Sequence, residues 1–258
     1  MKVVILAGGF GTRISEESQS KPKPLVEVGG IPILCHIMKI YSHYGFNEFV
    51  ICAGYKQHAI KEYFADYYIH NCDVTFDFGK NNQVLIHDNH SEPWKVTIVD
   101  TGLNTLTGGR VKRIKKYIPD EEFMLTYGDA VSNVNIELLL KSHRESGKIA
   151  TITAVQPGGR FGTLDISQDG SVNRFAEKTK ESGGWINAGF MVLNRKIFDL
   201  IDGDDTILER TPLETLSKSA QLNAYKHDGF WQCMDTLKEK LDLDKMWLTG
   251  NAPWKIWG

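Results

Sequence analysis

Short apolar runs without polar alternation recur along the chain, and each predicts a strand covered on both faces of a sheet. These runs span residues 3–7, 49–53, 124–127 and 148–155. Helical patterns come between them, over residues 31–44, 57–66 and 134–145, with Pro32 suited to a first turn and Gly45 and Gly147 as stops. This alternation predicts an α/β fold with a mostly parallel sheet and helices on both faces.

The period changes between residues 74 and 99, where short polar-alternating pieces flank Asn81-Asn82 and predict a small β excursion, a hairpin or loop, from the sheet. Further strands are predicted at residues 172–176 and 185–193, and helices near residues 206–217 and 236–247. No Pro/Ser-rich linker divides the chain. We therefore predict a single domain over residues 1–258, with a first half to about 130, a second half over about 131–235, and a C-terminal helix and tail over 236–258.

The tail is rich in tryptophan, since three of the six tryptophans (Trp247, Trp254, Trp257) lie in the last twelve residues. A tail this apolar is expected to dock, either on its own domain or on a neighbouring subunit. The sequence leaves both sites open.

Composition narrows the possible partners. The formal net charge is −2, without the basic excess typical of nucleic-acid-binding proteins, so we expect no nucleic-acid partner. No apolar run approaches the roughly 20 residues of a membrane-spanning helix, so we expect no membrane partner and a cytoplasmic location. The four cysteines form no C-x-x-C pair and the eight histidines show no zinc spacing, which predicts free thiols and no zinc site.

A glycine-rich segment, residues 8–11, directly follows the first predicted strand. Glycines there let the backbone approach a ligand closely and let successive amides point at phosphate oxygens. A dinucleotide fingerprint would need glycine where Ile14 stands, and a Walker A loop would need Gly-Lys where Thr12-Arg13 stands. A tight turn with surface charges is the alternative, but the cations Arg13 and Lys23 favour phosphate binding. Five basic residues within 110–116 extend this prediction to a cationic pocket.

Two acidic residues are candidates for a metal site. Asp129 follows a buried strand, and ligands of open parallel sheets lie at the carboxyl ends of strands. Asp235 stands just before a predicted helix. A turn-forming role for Asp129 and a capping role for Asp235 are the alternatives. Because Mg²⁺ takes few protein ligands and fills its shell with phosphate and water, two carboxylates are enough to predict a magnesium site.

Three segments together resemble the signature of sugar-1-phosphate nucleotidylyltransferases: LAGGFGTR at 6–13, KPLV at 23–26 and GIPI at 30–33. The segments FG at 161–162, EK at 177–178 and INAGF at 186–190 resemble that family's sugar-binding segments. The resemblance covers almost the whole chain. The chain resembles most closely the members of this family that use CTP and glucose 1-phosphate. The segments that carry this closer resemblance are residues 15–17, 92–94, 100–102, 107–110, 230–236 and 252–255.

The resemblance implies a Rossmann-like, GT-A-like mixed sheet. It also implies Mg²⁺-assisted in-line attack of glucose 1-phosphate on CTP, which gives CDP-glucose for deoxysugar and O-antigen polysaccharide synthesis. A homo-oligomer is expected, with a hexamer as the suggested state.

The resemblance also assigns roles to individual residues. The implied nucleotide-binding residues are Leu6, Ala7, Gly8, Gly9, Phe10, Gly11, Thr12, Arg13, Lys23, Thr105, Gly109 and Arg110. The implied sugar-phosphate-binding residues are Tyr127, Gly162, Glu177, Lys178 and Asn187. The implied catalytic residues are Arg13, Lys23 and Asp129, and the implied metal ligands are Asp129 and Asp235.

Ala130, Thr179 and Ala188 depart from the family pattern, which leaves the sugar less certain than the reaction class. One alternative is an enzyme of the same fold that uses UTP, dTTP or another phosphate ester. Another is an inactive nucleotide-sensing subunit, and a third is a retaining glycosyltransferase. The glycosyltransferase would need a D-x-D-like motif that Tyr127-Gly128-Asp129 lacks.

Overall fold

The computed structural model describes residues 1–11, 14, 21–156 and 184–258, together with the backbone of residues 163–166 and 172–176. The strands are β1 Val3–Ala7, β2 Glu27–Val28, β3 Ile31–Pro32, β4 Glu48–Ala53, β5 Asp73–Asp77, β6 Gln83–His87, β7 Lys95–Asp100, β8 Glu122–Tyr127, β9 Ala130–Ser132, β10 Ala150–Val155, β11 Thr163–Ile166, β12 Val172–Ala176, β13 Ile186–Asn194, β14 Leu222–Lys226 and β15 Trp231–Cys233. The α-helices are α1 Ile33–His43, α2 Gln57–Ala65, α3 Tyr67–His70, α4 Thr107–Arg113, α5 Ile136–Ser146, α6 Thr211–Lys218 and α7 Leu237–Leu248. Short 3₁₀ helices cover Lys23–Leu25, Lys115–Tyr117 and Arg195–Leu200.

A mixed sheet forms the centre of the molecule. Within the described residues it has seven strands in the order β14-β10-β13-β8-β1-β4-β7. Only β13 runs against the other six, because its pairings with β10 and β8 are antiparallel and the remaining pairings are parallel. All five residues of β1 are buried, as a strand with helices on both faces requires. The predicted α/β fold with a mostly parallel sheet is confirmed.

Apolar side chains fill both faces of the sheet. One core cluster contains buried residues of α1 and α5 and the side chain of Trp254 in the tail. The other contains Val111 of α4, Leu213 of α6 and the buried residues of the 3₁₀ helix Arg195–Leu200. Two layers of this kind hold the sheet between helices and leave its strand ends free to carry a site.

The predicted excursion is a hairpin of β5 and β6, whose turn contains Asn81 at φ 55° and Asn82 at φ 57°. Asparagine tolerates this left-handed conformation better than most residues. The prediction was wrong for the last part of that segment, because β7 leaves the excursion and pairs in parallel with β4 as the edge strand of the main sheet.

Three helices begin at least two residues later than the patterns predict, and one of them is α5, which begins at Ile136. Helix α1 begins at Ile33, because Ile31–Pro32 pairs as β3 with β2. Helix α6 begins at Thr211. The backbone before it makes tertiary hydrogen bonds instead: the Thr206 carbonyl accepts from the Gly108 amide at 2.9 Å, and the Leu208 amide donates to Thr107 Oγ1 at 2.9 Å.

The C-terminal tail docks on its own domain. Trp254 is fully buried, stacks on Phe230 with ring centroids 5.5 Å apart, and donates its indole N–H to His36 Nδ1 at 3.3 Å. Of the two docking sites that the sequence leaves open, the structure therefore shows the intramolecular one. In the part of the chain that the structure describes, no helix combines the length and apolar character needed to cross a membrane.

Candidate active site

One edge of the sheet gathers the chemically important residues. The carboxyl ends of β1, β4, β7 and β8 meet there, and the antiparallel β13 begins at the same edge with Ile186 and Asn187. A cleft of about 430 Å³ opens at this edge. Its lining consists of Leu6, Ala7, Gly8, Gly9, Phe10, Gly11, Ile14, Lys23, Pro24, Leu103, Asn104, Thr105, Leu106, Thr107, Arg110, Tyr127, Gly128, Asp129 and Asp235. The position agrees with the rule that ligands of such sheets bind beyond the carboxyl ends of the strands.

The glycine loop forms one wall of the cleft. Gly11 has φ 66°, a left-handed conformation that favours glycine. A Cβ atom at Gly9 would meet no heavy atom of the described residues within 4 Å, so on that side the backbone is open to an approaching ligand. At Gly8 the situation is the reverse, because a Cβ atom would lie 2.1 Å from Arg110 Nη1.

Arg110 lies beneath this loop and is only 5% exposed. Its Nη2 donates to the carbonyl oxygens of Gly8 at 3.0 Å and Leu103 at 3.2 Å. Its Nη1 donates to Thr101 Oγ1 and to the Gly102 carbonyl, both at 2.8 Å, and lies 3.3 Å from the Ala53 carbonyl. The guanidinium therefore connects the loops that follow β1, β4 and β7. Its predicted contact with a base stays a prediction.

Lys23 lies between two carboxylates. Its Nζ donates to Asp129 Oδ2 and to Asp235 Oδ1, each at 2.6 Å. Pro22 and Pro24 flank the lysine, and Lys23 begins a short 3₁₀ helix that holds its backbone. The side chains of Lys23 and Asp235 are 13% and 15% exposed, and that of Asp129 is 30% exposed. Three residues separated by up to 212 positions are thus brought to one point of the cleft.

The electrostatic balance at Lys23 favours its charged form. Burial lowers the pKa of the ammonium, but the attraction of Asp129 and the hydrogen bonds to both carboxylates outweigh burial, so the pKa lies above its usual value. Lys23 therefore carries its charge throughout the neutral range, as a group that binds phosphate must.

The two carboxylates fit a magnesium ion. Their oxygen atoms accept from one ammonium group, so they are close enough to share another cation. Among the described residues, no cluster of three or more His, Cys, Asp or Glu side chains suggests a metal cage built by the protein alone. Mg²⁺ is compatible with this arrangement because it is usually held by one or two carboxylates together with phosphate oxygens and water.

Tyr127 lines the cleft at the end of β8. Its hydroxyl donates to Glu209 Oε1 at 2.5 Å and lies 3.4 Å from Asn187 Nδ2. Its ring covers Gly189, which has φ 89° and where a Cβ atom would lie 2.4 Å from the ring. Burial, and then the negative charge of Glu209, raise the pKa of the phenol, which keeps it protonated.

The structure brings most of the predicted site residues together. The predicted residues in the cleft wall are Leu6, Ala7, Gly8, Gly9, Phe10, Gly11, Lys23, Thr105, Arg110, Tyr127, Asp129 and Asp235. Gly109 does not line the cleft, because its α-carbon packs against Asp204 and Thr105. Asn187 is not among the described residues that line the cleft, and its Nδ2 contacts the Tyr127 hydroxyl. Thr12, Arg13, Gly162, Glu177 and Lys178 lie outside the described residues. The roles assigned to all these residues stay predictions.

Other residues of the site were missed. Leu103, Asn104 and Leu106 line the cleft on either side of the predicted Thr105. Thr107 also lines it, and only its place in the segment 107–110 could have indicated this. Glu209 lies within a predicted helix, and no sequence signal connected it to Tyr127, which is 82 positions away.

Comparisons with known proteins agree with this geometry. The model of the nucleotidyl transferase family matches residues 2–236. A glucose-1-phosphate cytidylyltransferase from Salmonella typhi is 54% identical over 258 residues, which is 100% of both chains. A "probable glucose-1-phosphate cytidylyltransferase" from Bacillus subtilis is 46% identical over the same full length of both chains. The solved structure of an apo UDP-glucose pyrophosphorylase has a TM-score of 0.68 at 13% identity and covers 96% of this chain and 98% of that one, which shows the fold alone.

Proposed function

The chain belongs to the nucleotidyl transferase family, and we propose that it transfers the cytidylyl group of CTP to α-D-glucose 1-phosphate. An oxygen of the sugar phosphate attacks the α-phosphorus of CTP, the bond to the β-phosphate breaks, and CDP-glucose and pyrophosphate leave. Full-length identity of 54% to a glucose-1-phosphate cytidylyltransferase supports this choice of substrates. The observation that carries the chemistry is the Lys23 ammonium held between Asp129 and Asp235 in the cleft.

The reaction requires two anions to meet, so charge neutralisation and positioning are the main tasks of the protein. Lys23 has the charge and the position to bind the α-phosphate and the incoming phosphate together. The open backbone at Gly9 suits the β- and γ-phosphates. Mg²⁺ bound by Asp129 and Asp235 would supply a Lewis acid at the α-phosphate. Because Lys23 occupies both carboxylates in the structure, binding of the metal would also direct the ammonium towards phosphate.

The remaining assignments belong to the same proposal. We assign Thr12 and Arg13 to binding of CTP, and Gly162, Glu177, Lys178, Asn187 and Tyr127 to binding of glucose 1-phosphate. We place the cytosine on the side of the cleft that Thr105 and Arg110 line; Gly109 packs behind Thr105 and does not line the cleft. A cytoplasmic location, a homo-oligomer and a role in O-antigen polysaccharide synthesis stay predictions. UTP or dTTP in place of CTP is the competing substrate choice.

Pyrophosphate release tests the function directly. The chain is incubated with Mg²⁺, a panel of sugar 1-phosphates and each of CTP, UTP, dTTP and GTP. We expect rapid release only with CTP and glucose 1-phosphate, and no release when EDTA removes the metal. Comparable rates with UTP or dTTP would show that cytosine is not the selected base. Inactivity with every pair of substrates would refute the proposed reaction.

The same assay tests Lys23. Lys23→Ala removes the cation at the point where two phosphates meet, so we expect kcat to fall by at least about 10²-fold. Lys21→Ala is the matched control, because Lys21 is exposed and pairs with Glu27 away from the cleft; its kcat is expected to stay within about twofold. Thermal unfolding of both variants verifies that they fold. Near-normal turnover of Lys23→Ala would remove this lysine from the centre of the mechanism.

A further inference from the structure

Glu209 lies directly behind the cleft wall and binds two hydroxyl groups that belong to it. Its Oε1 accepts from the Tyr127 hydroxyl at 2.5 Å, and its Oε2 accepts from Thr107 Oγ1 at 2.6 Å. Tyr127 and Thr107 both line the cleft, whereas Glu209 is half-buried and does not. The carboxylate therefore acts on whatever the cleft binds only through these two residues.

The chemistry of a carboxylate fixes where the hydroxyl protons point. An ionised carboxylate can only accept hydrogen bonds, so both hydroxyl groups must donate their single proton to Glu209. The Thr107 oxygen in turn accepts from the Leu208 amide at 2.9 Å. The Tyr127 oxygen accepts one long hydrogen bond from Asn187 Nδ2 at 3.4 Å and keeps a further lone pair. Towards the cleft, the Tyr127 hydroxyl is thus an acceptor without a proton to give.

An acceptor in this position discriminates between ligand groups. A sugar hydroxyl can donate to it, whereas a phosphate oxygen has no proton to offer and would be repelled. Lys23 and Asp129 line the same cleft and already provide the place for phosphate and metal. The cleft is therefore divided into a part suited to phosphate and a part suited to a hydroxyl donor.

We propose that Glu209 is a positioning residue that holds the Tyr127 proton and so presents the phenol oxygen as an acceptor for one hydroxyl of the sugar phosphate. The inference rests on the proposed function, because the sugar phosphate brings the hydroxyl. Glu209 does not touch the reacting atoms, and its effect is on binding of the sugar rather than on the transfer of the cytidylyl group.

The test uses Glu209→Gln, whose amide keeps one acceptor oxygen and replaces the other by a donor, so that it cannot accept from both the Tyr127 and the Thr107 hydroxyl groups. We expect KM for glucose 1-phosphate to rise about tenfold, the effect of one lost hydrogen bond, while KM for CTP and kcat stay within about twofold. Tyr127→Phe, which keeps the ring over Gly189, is expected to give the same rise, and the double variant no further rise. Glu214→Gln is the control, since Glu214 is an exposed glutamate on the neighbouring helix α6.

Deoxyglucose 1-phosphates, each lacking one hydroxyl, identify the group that Tyr127 binds. We expect one of them to lose about tenfold in kcat/KM on the unmodified chain and less than about twofold on Glu209→Gln and on Tyr127→Phe. The proposal would be overturned if the KM values for CTP and for the sugar rose equally, or if the effects of the two variants were additive. It would also be overturned if every deoxy sugar lost equally on every variant. Activity of the unmodified chain distinguishes failure of the proposed function from failure of this inference. Inactivity with glucose 1-phosphate would refute both. An active unmodified chain together with an unchanged KM for glucose 1-phosphate in Glu209→Gln would refute the inference alone.

Discussion

Residue types indicated where the site lies but not what each side chain does there. The sequence placed Gly8 and Arg110 in a nucleotide site, and both residues line the cleft. Their partners, however, are each other: the guanidinium fills the space that a Cβ atom at Gly8 would occupy and donates to the Gly8 carbonyl. Because these contacts join residues 102 positions apart, no local pattern could have predicted them.

Replacing Arg110 by lysine tests this role. A lysine keeps the charge but is a point donor with three N–H bonds, so it cannot reach the separated carbonyl groups that the planar guanidinium spans. Buried carbonyls left without partners are costly, and we expect Arg110→Lys to lower the free energy of unfolding by about 2–3 kcal/mol in urea titrations. Arg113→Lys is the matched control on the same helix α4, since Arg113 is exposed and pairs with Asp204; it should leave stability almost unchanged. Equal behaviour of the two variants would contradict the structural role.

Among the elements, those with strong local signals were predicted well. The predicted runs at 3–7 and 124–127 lie in β1 and β8, since short apolar runs without alternation are typical of strands covered on both faces. Gly147 ends α5 at φ 62°, as its position at the end of the helical pattern indicates. Residues 206–210 were predicted helical and are not, because Thr206 and Leu208 bind α4 through their backbones. Tertiary hydrogen bonds thus decide element boundaries that propensity leaves open.

Helix α1 and the C-terminal tail share a histidine that makes their contact sensitive to acid. His36 is fully buried; its Nε2–H donates to the Val28 carbonyl at 2.9 Å and its Nδ1 accepts from Trp254. Protonation of Nδ1 would set two N–H groups against each other. Burial lowers the pKa of His36 from 6.5 to about 4; nearby Lys39 adds to the shift, and the Val28 hydrogen bond and Asp244 oppose it.

The free energy of unfolding should therefore decrease as the pH is lowered from 6.5 to about 4. Between pH 6.5 and 4 the unfolded chain binds a proton at His36 that the folded chain does not, so acid favours unfolding. We expect this group alone to make the free energy of unfolding about 2 kcal/mol lower at pH 5 than at pH 7.5, as followed by tryptophan fluorescence in urea. His36→Gln should reduce the pH difference by that amount, whereas His58→Gln, at an exposed position on α2, should not. An unchanged pH difference in His36→Gln would assign the acid sensitivity to other groups.

For the whole molecule, the distribution of charge was only partly predictable. The five basic residues within 110–116 were expected to build a cationic pocket, but of these only Arg110 lines the cleft. Lys112 donates to the carbonyls of Ile201 and Asp202, and Lys115 pairs with Asp199. These contacts fasten residues 199–202 to α4 and to the 3₁₀ helix that follows it. The cation with the central position is Lys23, and the two acids expected beside the pocket, Asp129 and Asp235, pair with it.

The hairpin of β5 and β6 exposes apolar side chains on a two-stranded ribbon. Within the described residues its two strands pair only with each other, every residue of β6 is exposed, and Phe76 and Phe78 stack while 47% and 78% exposed. A two-stranded ribbon is marginal in water by itself, and exposed apolar strands favour pairing with another chain. The predicted homo-oligomer supplies such a chain, so we expect light scattering to show a molar mass several times the 29.1 kDa of one subunit.

Replacing both phenylalanines by serine (Phe76→Ser with Phe78→Ser) tests whether the ribbon makes that contact. Loss of two large apolar side chains from a small interface is expected to weaken association at least about 10²-fold, so the variant should sediment at a lower mass at micromolar concentration. Leu248→Ser is the control, because Leu248 is 79% exposed on α7 and lies in another element. A monomeric unmodified chain would refute the oligomer. An oligomer that survives the double replacement would show that the interface does not depend on the ribbon. Exposed apolar patches favour association, so loss of the oligomer on removing Phe76 and Phe78 would instead place the interface at the ribbon.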